Sequence, residues 1–198
     1  MLDAARARAA HLGLDNVEFE VINAEWIDLP VASVDGVLCR WGYMLMADPA
    51  AALAETRRVL RPGGRVALAV WDRVERNPWA ALPALVLREH GLAKDSDPRA
   101  PGPFALGDAE RVSELLREAG FADVEMQALD LEQHHAHFDA FWETALDIGR
   151  TFHDAVLSRP EAEVAQVRAD LQRRTAPFQT AAGGLAIPGR TLVAVADA

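Results

Sequence analysis

The sequence predicts an α/β fold in which buried strands alternate with helices. Two short apolar runs, at residues 34–39 and 66–71, are bounded by turn residues and are typical of strands covered on both faces. The segments between the predicted strands lack internal breakers and end at glycine or proline, as helices do. Because strands that alternate with helices form parallel sheets, we expect a parallel α/β sheet.

The first part of the chain predicts two helices and two strands. Residues 2–12 are rich in Ala, Arg and Leu and predict a helix that stops at Gly13. Residues 17–21 alternate apolar and charged side chains, which predicts a half-exposed strand. After the strand at residues 34–39, Asp48 is a candidate N-cap for a helix over residues 49–60, with Pro49 at its first position.

The remaining elements follow the strand at residues 66–71, which Gly63 and Gly64 precede as a tight turn. Residues 73–107 are proline-rich and predict an insertion with a helical centre. Asp108 is a candidate N-cap for a helix that ends at Ala119. We further predict a strand at 124–131, helices at 138–149 and 161–174, and a last strand at 191–196.

Composition narrows the function classes. The formal net charge of -10 and the pI of about 5.0 disfavour nucleic acid as a partner and fit a neutral or cationic small molecule. Cys39 is the only cysteine, so an intramolecular disulfide is excluded. No apolar run reaches the roughly 20 residues of a membrane span, and residues 1–6 do not resemble a signal peptide. We therefore expect a cytoplasmic protein without membrane contact.

Three stretches, in this order and spacing, carry a family resemblance. The first is Met-Leu-Asp-Ala-Ala-Arg at residues 1–6, with Asn-Val-Glu-Phe at 16–19 and Asn-Ala-Glu at 23–25. The second is Ser-Val-Asp-Gly-Val-Leu-Cys-Arg at 33–40, and the third is Arg-Val-Leu-Arg-Pro-Gly-Gly-Arg at 58–65. Together they resemble class I S-adenosylmethionine-dependent methyltransferases of the ubiquinone/menaquinone-biosynthesis-like, small-molecule branch. The resemblance implies a Rossmann-like sheet, S-adenosyl-L-methionine as cofactor and a small-molecule methyl acceptor.

The resemblance also implies that part of the domain is missing from this sequence. The family's Gly-rich loop after the first strand, and the carboxylate after the second, have no counterpart here. We therefore expect a Rossmann-like class I methyltransferase sheet that lacks its first two strands, truncated at the N-terminus, with a helical lid insertion. The expected divisions are a partial cofactor-binding core (1–72), an insertion (73–107), a core helix and strand (108–131), a helical lid (132–180) and the last core strand (181–198).

Candidate cofactor-binding residues lie where two predicted strands end, which is where ligands bind in open α/β sheets. They are Asn23, Ala24, Glu25, Cys39 and Arg40. By the resemblance, the position of Asn23 is usually an Asp that accepts a hydrogen bond from the adenine amino group. An Asn side-chain oxygen can accept the same bond without a charge.

Candidate substrate-pocket residues are the aromatic and sulfur-containing side chains that follow the strands: Trp41, Tyr43, Met44 and Trp71. They form either an apolar pocket wall, whose rings also suit a sulfonium through cation–π attraction, or ordinary core and lid packing. His134, His135 and His137 favour a solvated or lid-hinge stretch over a metal site, with a general base as a further alternative. No residue is assigned a catalytic role, because direct methyl displacement depends on alignment more than on catalytic groups.

The sequence is consistent with two functions. One is a small-molecule methyltransferase, impaired in this truncated form; the other is a non-catalytic remnant that acts as a binding or dimerising module. A nicotinamide-linked dehydrogenase is disfavoured because no dinucleotide fingerprint is present. Loss of two strands would leave the run at 34–39 as an open apolar edge, which favours a homodimer. The alternative is that residues 17–21 pair directly with it.

Overall fold

The computed structural model describes residues 1–94, 97 and 99–198. Within the predicted insertion at 73–107, Asp95, Ser96 and Pro98 lie outside the described residues. The helices are α1 (Leu2–His11), α2 (Pro49–Val59), α3 (Pro78–Glu89), α4 (Ala109–Glu118), α5 (Phe138–Ile148), α6 (Arg150–Leu157) and α7 (Glu161–Thr175). The strands are β1 (Val34–Arg40), β2 (Leu60–Trp71), β3 (Ala122–His135) and β4 (Leu185–Asp197).

The four strands form one mixed sheet in the order β1-β2-β4-β3. The predicted parallel pairing holds for β1 and β2 only, and β4 runs antiparallel to both of its neighbours. The cause lies in the connection between β3 and β4. His135, the last residue of β3, pairs with Leu185, the first residue of β4, so the chain re-enters the sheet at the end where it left and runs back.

The strand predicted at residues 17–21 does not form. The segment belongs to no strand, and Val17 and Val21 are exposed at 42% and 90% of their surface. The Arg6 guanidinium donates a hydrogen bond to the Phe19 carbonyl oxygen in this segment. Alternating side chains alone do not make a strand, because a strand also needs a neighbour that satisfies its backbone groups.

The predicted helices are present, and both predicted caps are confirmed. The Asp48 side chain accepts a hydrogen bond from the Ala51 amide at the start of α2, and Asp108 accepts one from the Glu110 amide at the start of α4. Helix α6 was not predicted. It follows α5 directly, because Gly149 is both the C-cap residue of α5 and the N-cap residue of α6.

The core lies on the two central strands. Val66 and Val70 of β2 and Ala194 and Ala196 of β4 are fully buried. Helix α2 packs with α4, whereas α3 packs with α6 and α7 and so places the second half of the chain beside the predicted insertion. Among the described residues, no helix combines the length and the apolar character needed to cross a bilayer.

Candidate functional site

A row of aromatic rings begins where β1 and β2 end. The Trp41 ring stacks on Trp71, with centroids 4.4 Å apart and an angle of 11° between the planes. Trp71 in turn contacts Trp79 at 4.9 Å, and Trp79 lies 6.4 Å from Phe104. The carboxyl ends of the parallel strands β1 and β2 are therefore connected to α3 and to the loop before α4 by continuous ring contacts.

Trp41 is held in an unusual backbone conformation at this edge. Its φ is 55°, in the left-handed region that non-glycine residues seldom adopt. Its amide donates to the Ala69 carbonyl oxygen at 2.8 Å, and its indole nitrogen donates to the Thr191 hydroxyl at 3.2 Å. The Arg40 guanidinium lies 4.9 Å from the ring centre, so the indole already interacts with one cation. Strain of this kind persists only where surrounding contacts enforce it, and it is concentrated at functional sites.

The row leads to a cavity of about 420 Å³, a size typical of small-molecule sites. The cavity lies between the predicted insertion and the helices α5 and α6, and Gln133 of β3 also contributes to its wall. Its lining is mainly apolar, with the aromatic residues Trp79, Phe104, Phe141 and Phe152 and the aliphatic residues Pro83, Leu87 and Ile148. This composition favours an apolar ligand body.

Asn77 holds the wall of this cavity in place. It is fully buried, and its amide nitrogen donates to the carbonyl oxygens of Asp72, Arg73 and Arg190. Its side-chain oxygen accepts from the Trp79 indole nitrogen at 3.1 Å and from the Arg190 amide at 3.0 Å. Every polar atom of the side chain is therefore used, and the Trp79 ring is fixed relative to β4.

The Asn23–Glu25 segment forms a turn at the surface. Asn23 is exposed, and its side-chain oxygen accepts a hydrogen bond from the Glu25 amide at 3.0 Å. The Glu25 carboxylate accepts from the Asp48 amide at 3.0 Å, which ties the turn to the start of α2. Ala24 is half-buried against the core. A carbonyl oxygen has two lone pairs, so the Asn23 side-chain oxygen can accept one further hydrogen bond.

The predicted pocket residues fall into two sets. Trp71 is buried and Trp41 half-buried, and both belong to the aromatic row. Tyr43 and Met44, 3% and 4% exposed, are packed in the core, and none of the four predicted pocket residues lines the cavity. The Tyr43 hydroxyl lies 2.6 Å from the Thr56 hydroxyl, and burial raises the pKa of Tyr43 to about 12. Cys39 is half-buried and its thiol is reduced.

The three histidines have separate roles. His134 is exposed beside Glu132, and the His137 ring accepts a hydrogen bond from the Ala140 amide at the start of α5. His135 packs edge-on against Phe141, and its Nε2 is buried without a hydrogen-bond partner. Burial, with the neighbouring His134 as a second cause, lowers the pKa of His135 below its ordinary value. Within the described ranges, no group of three His, Cys, Asp or Glu side chains is arranged to hold a metal ion.

The sequence did not indicate Phe104, Phe141 and Phe152 as pocket residues. These rings come from three separate segments and converge only through the packing of α3 against α6 and of α5 against β3. Asn77 carried a usable signal, since an Asn before a proline at a helix start is a familiar N-cap pattern. In the structure, however, its side chain makes no cap bond to α3 and instead accepts a hydrogen bond from the Arg190 amide of β4.

Comparison with known proteins identifies the relatives of this chain. Residues 1–68 match the methyltransferase domain family. A demethylmenaquinone methyltransferase of Deinococcus radiodurans is 32% identical over 130 residues, which are 61% of this chain and 54% of that protein. One from Clavibacter sepedonicus is 34% identical over 140 residues, 65% of this chain and 56% of the relative. The chain therefore spans about half the length of these relatives.

Solved structures agree in fold at low sequence identity. The YcgJ protein of Bacillus subtilis superposes with a TM-score of 0.61 at 17% identity, over 100% of this chain and 77% of that one. Phosphoethanolamine N-methyltransferase 2 of Haemonchus contortus, solved with S-adenosyl-L-methionine, gives 0.53 at 15% identity, over 99% and 40%. The [4+2]-cyclase SpnF gives 0.51 at 17% identity, over 97% and 60%. Because the last two proteins are named for different reactions, the shared fold does not decide the chemistry.

Proposed function

Since residues 1–68 of this chain match the methyltransferase domain family, we propose that the chain is a class I S-adenosylmethionine-dependent methyltransferase and takes part in methyl transfer from S-adenosyl-L-methionine to a small molecule bound in the aromatic cavity. The observation that carries the proposal is the row of contacting aromatic rings from Trp41 to Phe104. It joins the strand ends, where ligands of open α/β sheets bind, to a cavity of suitable size.

The residues of this chain fit one part of the cofactor. The exposed Asn23 oxygen offers an acceptor for the adenine amino group, and the strand ends at Cys39 and Arg40 lie at the expected edge of the sheet. Bound S-adenosyl-L-methionine supplies a methyl group on a positively charged sulfur, ready for direct displacement. The protein's contribution is to hold the acceptor in line and to exclude water, and the apolar cavity provides both.

For the 198-residue chain by itself, we propose weak cofactor binding and therefore weak activity. The polar contacts that it offers the cofactor come from the Asn23–Glu25 turn and the strand ends. The hydrogen bonds that the family's Gly-rich loop and carboxylate would make to the cofactor have no counterpart in this sequence. Loss of one hydrogen bond to a charged or buried group costs about 1.5–3 kcal/mol, so loss of two weakens binding roughly a thousandfold. Calorimetry with the purified chain tests this point, and micromolar affinity for S-adenosyl-L-methionine would contradict it.

Transfer of a radiolabelled methyl group tests the function itself. The chain is incubated with S-adenosyl-L-methionine at saturating concentration and a panel of small aromatic acceptors. We expect slow label transfer to some acceptors, loss of transfer in Trp79→Ala, and no change in Trp26→Ala, whose side chain is 77% exposed. Ala84→Trp, an exposed position on the cavity lining, blocks the cavity without removing core contacts. No transfer by the parent chain would favour the alternative function, a non-catalytic binding or dimerising module.

A further inference from the structure

The charged groups on the cavity lining are all positive. Arg88 lies in the last turn of α3, Lys94 in the loop that follows, and Arg150 at the start of α6. Among the lining residues that the structure describes, there is no Asp or Glu. The chain as a whole has 30 acidic and 20 basic residues, so a lining whose described charged residues are all basic departs from the composition of the chain.

These cations stand at the mouth, whereas the interior is apolar. All three residues are exposed, and the rings of Phe141 and Phe152 lie beyond them in the buried wall. Arg150 has an acidic neighbour, Asp154, at 3.6 Å on the same helix. Both side chains of this ion pair are exposed to solvent, and exposed pairs of this kind interact weakly. A ligand that fills the interior therefore meets positive charge where it leaves the cavity.

We propose that the cavity binds a small molecule with an apolar, aromatic body and one anionic group, such as a carboxylate. The aromatic body fills the space beside Trp79 and Phe104, and the anion is held at the mouth by Lys94 and Arg150. The proposal rests on the proposed function, in which this cavity receives the methyl acceptor. It adds the chemical class of that acceptor, which differs from the neutral or cationic molecule that the net charge of the sequence favours.

Two further polar features suit a ligand of this kind. The first turn of α6 lies on the lining and has no side-chain cap, so its backbone N–H groups lack partners within the helix and can reinforce the cations. Gln133 places an amide on the cavity wall, between the apolar interior and the exposed end of β3. Hydrogen bonds to a charged acceptor are stronger than those to a neutral one, which favours a carboxylate over an amide at this position.

Isothermal titration calorimetry with 1-naphthoate and 1-naphthamide tests the proposal. The two probes have the same ring system and similar shape, and they differ in the charge of one group. We expect 1-naphthoate to bind to the full 198-residue chain about tenfold more tightly than the amide, because of the charged contact. The double variant Lys94→Gln/Arg150→Gln should remove this difference while leaving amide binding unchanged. Ala84→Trp should abolish binding of both probes.

A matched control removes two positive charges elsewhere. Arg111→Gln/Arg117→Gln changes exposed residues of α4, which does not line the cavity, and should leave the preference for naphthoate intact. Equal or tighter binding of the amide, binding of neither probe, or a preference that survives loss of Lys94 and Arg150 would each overturn the proposal. Selective naphthoate binding without any methyl transfer would contradict the proposed function and leave the charge preference standing. Methyl transfer to neutral acceptors only would support the proposed function and contradict the charge preference.

Discussion

At the scale of single residues, buried polar side chains whose donors and acceptors are all hydrogen-bonded define the shape of the cavity. Asn77 is the clearest case, because its one side chain bonds the end of β2, the indole of Trp79 and the backbone of β4. Gly189 leaves the space for this arrangement, since a Cβ there would lie 3.3 Å from the Asn77 oxygen and 2.9 Å from Leu131. Close backbone approach is the usual reason for a strand glycine.

We predict that Asn77→Ala lowers the free energy of unfolding by about 3 kcal/mol or more, because the Trp79 indole N–H and the Arg190 amide lose their buried acceptor. The matched control is Asn16→Ala, whose side chain is exposed and which we expect to change stability by less than about 0.5 kcal/mol. Urea unfolding of both variants measures the difference. Equal stabilities would mean that the Asn77 network contributes nothing net.

The second residue-scale prediction concerns pH. The pKa of His135 lies below its ordinary value of 6.5, chiefly because burial disfavours the charged ring. Below pH 6.5 the unfolded chain therefore binds a proton that the folded chain does not, so stability falls as the pH is lowered through this region. We expect the melting temperature of His135→Leu to decrease less than that of the parent between about pH 7.5 and about pH 5.5.

The control for this experiment is His153→Leu, the same change at an exposed position on α6. It should keep the parent's pH dependence. Identical pH profiles for the parent and His135→Leu would contradict the assignment. The window lies above the pH at which depressed carboxylate pKa values, such as those of Asp108 and Asp197, begin to affect stability.

At the scale of elements, local signals in the sequence were sufficient wherever an element is specified by its own residues. The caps at Asp48 and Asp108 and the buried run that becomes β2 are of this kind. The segment at 17–21 has equally good alternation but no neighbouring strand, and it forms none. The direction of β4 depends on the helices between β3 and β4, and this long-range connection leaves no trace in the pattern of the strand itself.

The candidate site also contains some residues that the sequence indicated and others that it did not. The sequence predicted Trp41 and Trp71 as pocket residues, because aromatic residues at strand ends lie near the ligand-binding edge of an open α/β sheet. Both rings belong to the aromatic row, but neither lines the cavity. The sequence did not indicate Phe141 and Phe152, whose spacing on α5 and α6 is equally consistent with ordinary core packing. Their shared cavity arises only from the way in which these helices meet α3.

One prediction belongs to this scale. Asp48→Ala should lower the free energy of unfolding by about 1 kcal/mol, because the first turn of α2 loses the acceptor of the Ala51 amide. Asp48→Asn keeps a side-chain oxygen in the same place and should retain most of the parent's stability. The bond from the Asp48 amide to Glu25 is present in both variants, so the comparison isolates the cap. Equal losses in the two variants would assign the effect to charge instead.

At the scale of the whole molecule, apolar surface is distributed unevenly. Of the fourteen large hydrophobic side chains that are exposed among the described residues, ten lie between Met1 and Leu45. Leu38 in β1 is 87% exposed, and Trp26 and Val21 are 77% and 90% exposed. The later part of the chain, by contrast, covers its apolar residues with α3 to α7. Residues 1–45 therefore carry most of the exposed large apolar side chains, and exposed apolar surface of this kind is typical of an interaction site.

The open edge of the sheet lies in the same region. β1 pairs with β2 on one side only, and residues 17–21 do not pair with it on the other. The opposite edge strand, β3, carries Glu125, Asp130 and Glu132, and such charges discourage pairing with another chain. β1 presents Val34, Val37 and Leu38 together with two charged residues, Asp35 and Arg40. An edge of this kind is a template for a further strand.

We therefore predict that the chain associates with itself through β1. A two-fold dimer would pair the edges antiparallel and cover Leu38 in both copies. Light scattering over a dilution series should show a mass that falls from dimer towards monomer as the protein is diluted. Leu38→Lys should shift the protein to the monomer, because a buried lysine opposes pairing at the edge. Leu157→Lys, the same change at a 61% exposed position on α6, should leave the association unchanged. A parent chain that stays monomeric at every concentration, with a sharp cooperative melt, would show that the β1 edge is stable without a partner and that the edge argument is wrong.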